Sequence, residues 1–217
     1  MRIVAIISQK GGAGKTTLAV HLATVASIAG HTVAIIDLDP QCTATSWGDR
    51  REAATPEVTS GQAIRIPALV NAARQNGADF LVLDTAPNAD QTASLAARAA
   101  DVVLIPCRPS TFDLEAIETT LLLSKAAGKP AYVVLNAVPP RSGIGKEAAE
   151  GLTREKGAQV APCHLSQRAA FGHGVIDGRT AMEFEPDGKA SEEIQALYAW
   201  LCGVVDMPTR GHTRKAA

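Results

Sequence analysis

The amino-acid sequence predicts an α/β protein: a doubly wound, mostly parallel sheet with helices on both faces. Three observations carry this. Short, apolar, β-branched runs recur along the chain. Ala-rich stretches of helical length separate them. The runs are continuous rather than alternating, the pattern of strands buried on both faces of a parallel sheet.

The predicted strands are 2–8 (RIVAIIS), 32–37 (TVAIID), 79–84 (DFLVLD), 102–106 (VVLIP), 131–136 (AYVVLN) and 159–163 (QVAPC). The predicted helices are 15–29, 41–53, 67–76, 90–100, 113–127, 144–156 and 189–203. Strict alternation of the two implies right-handed crossovers. In such sheets ligands bind beyond the carboxyl ends of the strands. Residues 54–63 read as a polar connection, and 138–146 (VPPRSGIGK) as a Pro/Gly-rich loop expected to be mobile. No repeat or linker divides the chain, so residues 1–205 are expected to form a single domain. Residues 206–217 carry Arg210, Arg214 and Lys215 and are expected to be a disordered basic tail.

Bulk properties narrow the function. A chain of 217 residues can bury one sizeable core, and 46% apolar with 4% aromatic residues suits a packed domain. A net charge of −1 argues against a protein-wide basic field but leaves room for a local one. No run approaches the roughly 18 apolar residues of a membrane helix, and no signal peptide is visible. Cys42, Cys107, Cys163 and Cys202 have no paired spacing, which suggests free thiols in a cytosolic protein rather than a disulfide framework or a zinc site. Ile194, Leu197, Tyr198 and Leu201 form a stripe on the last helix. With Glu192 and Glu193 beside it and few basic residues, that stripe suits core packing better than a membrane surface.

The chemistry is concentrated in residues 8–17, S-Q-K-G-G-A-G-K-T-T. The segment follows a predicted strand and opens a predicted helix, as a P-loop must. Gly11, Gly12, Ala13 and Gly14 let backbone N–H groups wrap phosphates, and the helix N-terminus adds partial positive charge. Lys15 should reach the β- and γ-phosphates, and Thr16 should ligate Mg²⁺, with Thr17 completing the box. Asp84, ending FLVLD, suits the Walker-B role at the metal, or else caps the next helix. Asp37 and Asp39, in D-L-D-P-Q, end the second strand at the same sheet edge. They can serve the metal and place the attacking water, although an Asp-Pro turn would also explain Asp39. The expected cofactors are ATP/ADP and Mg²⁺, and the expected reaction is Mg²⁺-dependent ATP hydrolysis on a P-loop NTPase fold.

Lys10 precedes the first glycine. The box K-G-G-A-G-K-T-T resembles the deviant Walker A box of the ParA/MinD superfamily of cytoskeletal-type ATPases. D-L-D-P-Q and the D-T-A-P that begins at Asp84 resemble that family's next two motifs in order and spacing. The likeness covers nearly the whole chain and is nearest to small ParA (ParF-like) partition ATPases. It implies that Lys10 is a signature lysine crossing a homodimer interface to the other subunit's ATP, supplying positive charge as an arginine finger does. It implies that Asp39 polarises the water, with Asp37 nearby at the metal. Asn136 would read adenine through its amide, which both donates and accepts, though a plain turn residue would also fit there. Pro106 and Pro109, in I-P-C-R-P-S, resemble the family's proline-bearing loop, with Pro109 near the nucleotide. Arg168, Arg179 and Lys189 fall about where relatives carry DNA-binding residues. Asp177, Glu183, Glu185 and Asp187 make scattered surface charge an equal reading of those three.

The resemblance thus implies a weak basal ATPase that closes as a sandwich dimer, binds DNA without sequence preference and positions a plasmid or chromosomal cargo over the nucleoid from the cytoplasm. A ParB/ParG-like centromere-binding or adaptor protein would stimulate hydrolysis. Because the chain opens with strand one, no helix-turn-helix precedes the P-loop and operator binding is not expected. The alternatives are a protein cargo such as a carboxysome, a MinD-like membrane-associated regulator, and a metabolic P-loop enzyme such as an amidoligase. A nitrogenase-iron-protein relative lacks support, since no cluster-ligand pair is present.

Overall fold

The continuous apolar runs do what their composition dictates: they stack side by side in the middle of the molecule. The computed structural model describes residues 1–88, 90–110, 113–114 and 116–209. Among these, β1 (Arg2–Ile6), β2 (Val33–Asp37), β3 (Glu57–Ser60), β4 (Phe80–Asp84), β5 (Val102–Cys107), β6 (Ala131–Leu135) and β7 (Gln159–Val160) make one seven-stranded sheet, ordered β3-β2-β4-β1-β5-β6-β7. Every pairing is parallel. The chain winds outward from β1 in both directions, which is the expected doubly wound architecture.

Alternate residues of each strand feed two separate cores. Val4, Ile6, Ile35, Val82 and Leu104 pack beneath α1 (Lys15–Ile28), α2 (Thr43–Asp49) and α9 (Lys189–Val204). Ile3, Ala5, Ile36, Leu83 and Val103 pack beneath α3 (Ile66–Gln75), α4 (Asp90–Ala99), α5 (Ile117–Ala126) and α6 (Ile144–Lys156). Helix α1 is buried on nearly all sides between Leu18 and Ala26, which is why its sequence is apolar around its whole circumference. Helix α9 buries Ile194, Leu197, Tyr198 and Leu201, so the stripe on the last helix packs on the core as its composition suggested.

The structure departs from the sequence reading in three places. The polar connection 54–63 contains β3, an edge strand with only Val58 partly buried. Without an apolar run it gave no periodic signal. Residues 164–188 contain α7 (Ala170–His173), a 3-10 turn (Gly174–Asp177) and α8 (Ala181–Phe184), all too short to establish a period. Helix α2 is shorter than 41–53, because Cys42 is left-handed (φ 50°) and closes a turn onto Asp39 O at 2.8 Å. The basic tail, with Arg210, Arg214 and Lys215, lies outside the described residues.

Strand register sets up the site. Ile6 pairs with Asp84, and Asp84 with Asp37, so both carboxylates stand in one row at the carboxyl edge, beside the exit of β1 into the Gly-rich loop.

Candidate functional site

The loop from Ser8 to Gly14 leaves β1 and turns directly into α1. Gly12 (φ 73°) and Gly14 (φ 95°) are left-handed, a conformation that penalises any Cβ. Gly14 has a second constraint: a Cβ there would lie 2.0 Å from the Asn136 amide nitrogen. That amide donates to Ala13 O at 2.8 Å. Asn136 therefore enters the site by bracing the P-loop backbone, held in turn by its own N–H on Cys107 O.

Lys15 begins α1 and is buried, with Nζ donating to Lys10 O at 3.2 Å. Burial pulls its pKa below the usual lysine value, while Asp84 and Asp39 pull it back up. A cation held in this way is primed to exchange a carbonyl for a phosphate oxygen. Asp84 is fully buried at the end of β4, and among the described residues neither carboxylate oxygen has a partner in hydrogen-bonding geometry. Burial, aided by Asp37 and Asp39, pushes its pKa up to about 7. The Thr16 hydroxyl and Lys15 act in the opposite direction. An orphaned buried carboxylate beside a threonine hydroxyl is the donor set a hard divalent cation such as Mg²⁺ takes. The residues present therefore fit the expected metal.

Asp37 and Asp39 divide their labour. Asp37 Oδ1 accepts the Asp39 N–H at 3.1 Å, and Oδ2 accepts the Thr45 N–H and hydroxyl at 2.9 and 3.0 Å. Both of its oxygens are thus spent on fixing the loop between β2 and α2. Among the described residues Asp39 accepts only the Gln41 N–H, at 2.9 Å, and it borders the cavity above the P-loop.

That cavity, about 480 Å³, is bounded by Gly12, Gly14, Lys15, Thr16, Asp39 and Asn136, with Ser166, Arg168 and Phe171 on its far wall. It opens through Ser166 and Arg168 into a larger hollow of about 790 Å³ beneath Pro139 and Pro140. The remaining sequence candidates are placed differently. Lys10 is half exposed, with Nζ 3.8 Å from Asp113 Oδ1 of its own chain. Pro106 lies inside β5 opposite Val134 and not in a loop. Its missing N–H costs nothing there, since the last β1 bond to β5 is Ile7 N to Leu104 O. Pro109 borders a separate hollow with Leu114 and Ile144.

Two of the three basic residues, Arg168 and Lys189, line the larger hollow together, and Arg179 borders a different one. Arg168 Nε and Nη2 donate to Glu193 Oε1 at 3.0 and 2.7 Å, and the side chain faces the nucleotide-sized cavity. Arg179 donates to Asp177 Oδ2 at 3.0 and 2.6 Å and stacks over Phe184. Lys189 borders the larger hollow beside Arg141 and Lys146.

Sequence reasoning missed two residues here. Arg108, in I-P-C-R-P-S, lines the cavity. A basic residue one step past a central parallel strand was the available signal. His21 ties the site to the distal segment: Nδ1 meets Thr17 O at 2.7 Å, and Nε2 accepts the Ala181 N–H at 3.1 Å. Burial lowers its pKa to about 4, against the pull of the Thr17 carbonyl and Glu183, so it is neutral. A lone His in an apolar helix gives no such signal.

Comparison with known proteins bears on the same residues. A family model described as the CobQ/CobB/MinD/ParA nucleotide binding domain matches residues 4–180. The maintenance of carboxysome distribution protein A of Gloeobacter kilaueensis is 32% identical over 212 residues, 96% of each chain. The chromosome-partitioning ATPase Soj of Thermus thermophilus is 30% identical over 146 residues, covering 54% of this chain and 59% of that protein. In fold, the MinD cell division protein of Aquifex aeolicus superposes with a TM-score of 0.77 at 17% identity, over 94% of this chain and 98% of that one.

Proposed function

Since the chain belongs to the CobQ/CobB/MinD/ParA nucleotide-binding family, we propose that it is a ParA-type positioning ATPase. In this reading it hydrolyses ATP with Mg²⁺, closes as an ATP-bound homodimer, binds DNA without sequence preference and is reset when a cargo-bound adaptor stimulates hydrolysis. The orphaned Asp84 carboxylate beside Thr16, one strand from the Gly-rich loop, is the observation that carries this reading.

Each residue has a task. Backbone N–H groups of residues 11–16 and the α1 N-terminus hold the phosphates. Lys15 leaves Lys10 O to pair with them. Thr16 and Asp84 hold Mg²⁺, which when bound neutralises phosphate charge. Asp37 acts at the metal through the loop it fixes. Asp39, with one oxygen uncommitted, orients the attacking water. Asn136 braces the P-loop, and its remaining acceptor oxygen suits the adenine amino group. Lys10 gives up its long contact with Asp113 to reach across a dimer interface, and Pro109 flanks that surface. Arg168, Arg179 and Lys189 are the proposed DNA contacts. For the two arginines this requires sharing or releasing Glu193 and Asp177.

The cargo has two readings. A plasmid or chromosomal segment follows from the small-ParA resemblance. The match along 96% of both chains to a carboxysome distribution protein favours a protein assembly. A MinD-like membrane role has less support, as the apolar stripe of α9, Ile194, Leu197, Tyr198 and Leu201, is spent on the core. Duplex DNA retention measured with ATP, ADP and no nucleotide tests the shared mechanism. Retention should require ATP and weaken steeply with salt. Binding indifferent to nucleotide and salt, or strong ATP-dependent pelleting with liposomes, would reject it.

A further inference from the structure

Three cationic side chains approach the Gly-rich loop, and the structure disposes of them differently. Lys15 is buried against Lys10 O at 3.2 Å. Lys10 sits 3.8 Å from Asp113. Arg108, the first residue past β5, is exposed, and among the described residues its guanidinium has no ion pair or hydrogen bond. It nevertheless leans over the loop: Nη2 lies 3.8 Å from the point a Cβ on Gly12 would occupy, and the residue lines the cavity with Lys15 and Asp39. Arg168, the other arginine of that cavity, is held by Glu193.

Position and chemistry together define what Arg108 can bind. Gly12, Lys15 and Asp39 line one cavity with Arg108, and Asp39 is the residue that the ATPase reading sets beside the attacking water, so Arg108 stands at the end of the cavity where the outermost phosphate would lie. A guanidinium presents a planar fork of donors that grips two phosphate oxygens at once and stays charged at any physiological pH. A guanidinium fork with no partner among the described residues, set beside an anion-binding loop, is placed to take an anion.

We propose that Arg108 is a third phosphate-binding cation of this site, contacting the terminal phosphate of the nucleoside triphosphate held by the same chain, and so favouring ATP over ADP. This rests on the reading of the cavity as an ATP site. The test is equilibrium binding of fluorescent ATP and ADP analogues, with Mg²⁺, to the wild type, Arg108→Ala, Arg108→Lys and Lys15→Ala. Arg108→Ala should weaken ATP binding about tenfold or more, the loss of a charge-assisted contact, and leave ADP within about threefold. Arg108→Lys should recover part of the loss, as charge without the fork. Lys15→Ala should weaken both nucleotides. Equal affinities for wild type and Arg108→Ala, or equal losses for ATP and ADP, would overturn the Arg108 assignment and leave the ATP site standing. A wild-type protein that binds neither nucleotide would overturn the site itself and Arg108 with it.

Discussion

The P-loop edge and the segment 164–188 face the same cavity but are built by opposite means. The edge is assembled from short local motifs, a strand, two left-handed glycines and a helix start, set beside carboxylates at the ends of neighbouring strands. The segment is assembled from distant partners. Arg51 forks onto Glu183 at 2.9 and 2.6 Å, Arg168 holds Glu193, and His21 receives the Ala181 N–H. Local backbone rules make the first legible and rigid. Side-chain pairs spanning up to 160 residues make the second invisible to periodicity.

The sharpest way to break this contrast is to cut the pair that pins the segment. Arg51 is nearly buried and also donates to Thr55 O and Gly178 O at 2.7 and 2.8 Å. Arg51→Ala should cost about 2–3 kcal/mol, because it leaves Glu183 with the Thr180 N–H and hydroxyl but without the guanidinium, and removes packing against Trp47. Chemical denaturation would measure this; a loss under about 1 kcal/mol would mean that the segment is not held in this way.

The next test uses pH, in protein free of metal and nucleotide. His21, with a folded pKa near 4 against 6.5, binds fewer protons folded than unfolded, so its contribution is present above about 6.5 and lost as pH falls toward 4. Asp84, raised from 3.8 to about 7, binds more protons folded, so its contribution is present at low pH and lost as pH rises through 7. Between pH 4 and 6.5 the two oppose each other and the wild-type stability should be nearly flat. Asp84→Asn removes one arm. Its stability should then rise by about 3 kcal/mol from pH 4 to 6.5, and at pH 8 it should exceed the wild type. A variant with the wild-type profile would refute the buried, partnerless state of Asp84.

The smallest effect belongs to Arg179, whose ion pair with Asp177 is half exposed. Arg179→Ala should leave the thermal midpoint essentially unchanged while lowering ATP-dependent DNA retention. A large loss of stability would make it a structural residue.

How much was readable follows the same division. The five central strands and the doubly wound architecture were legible, because burial on both faces forces continuous apolar runs. The edge strand β3, with one half-buried valine, was not. Of the predicted strand 159–163 only the two-residue edge strand β7 forms, with Gln159 exposed. In the site, the glycines, Lys15, Thr16, Asp39 and Asp84 stand where spacing put them. The loop-bracing use of Asp37 and Asn136 needed three dimensions, since it depends on which oxygen or amide hydrogen meets which backbone group. The α8 cap was the exception: Thr180 and Glu183 form a T-x-x-E box visible in sequence. Arg108 was in plain view between two prolines, but only the cavity shows what it overlooks.

The central claim is that this strand edge is a working ATPase site. Steady-state phosphate release with Mg²⁺-ATP, comparing wild type, Lys15→Ala and Asp39→Ala, tests it most directly. The wild type should turn over slowly and neither variant at all, and of the two variants Asp39→Ala alone should keep ATP binding. Turnover by Lys15→Ala at the wild-type rate would contradict that claim.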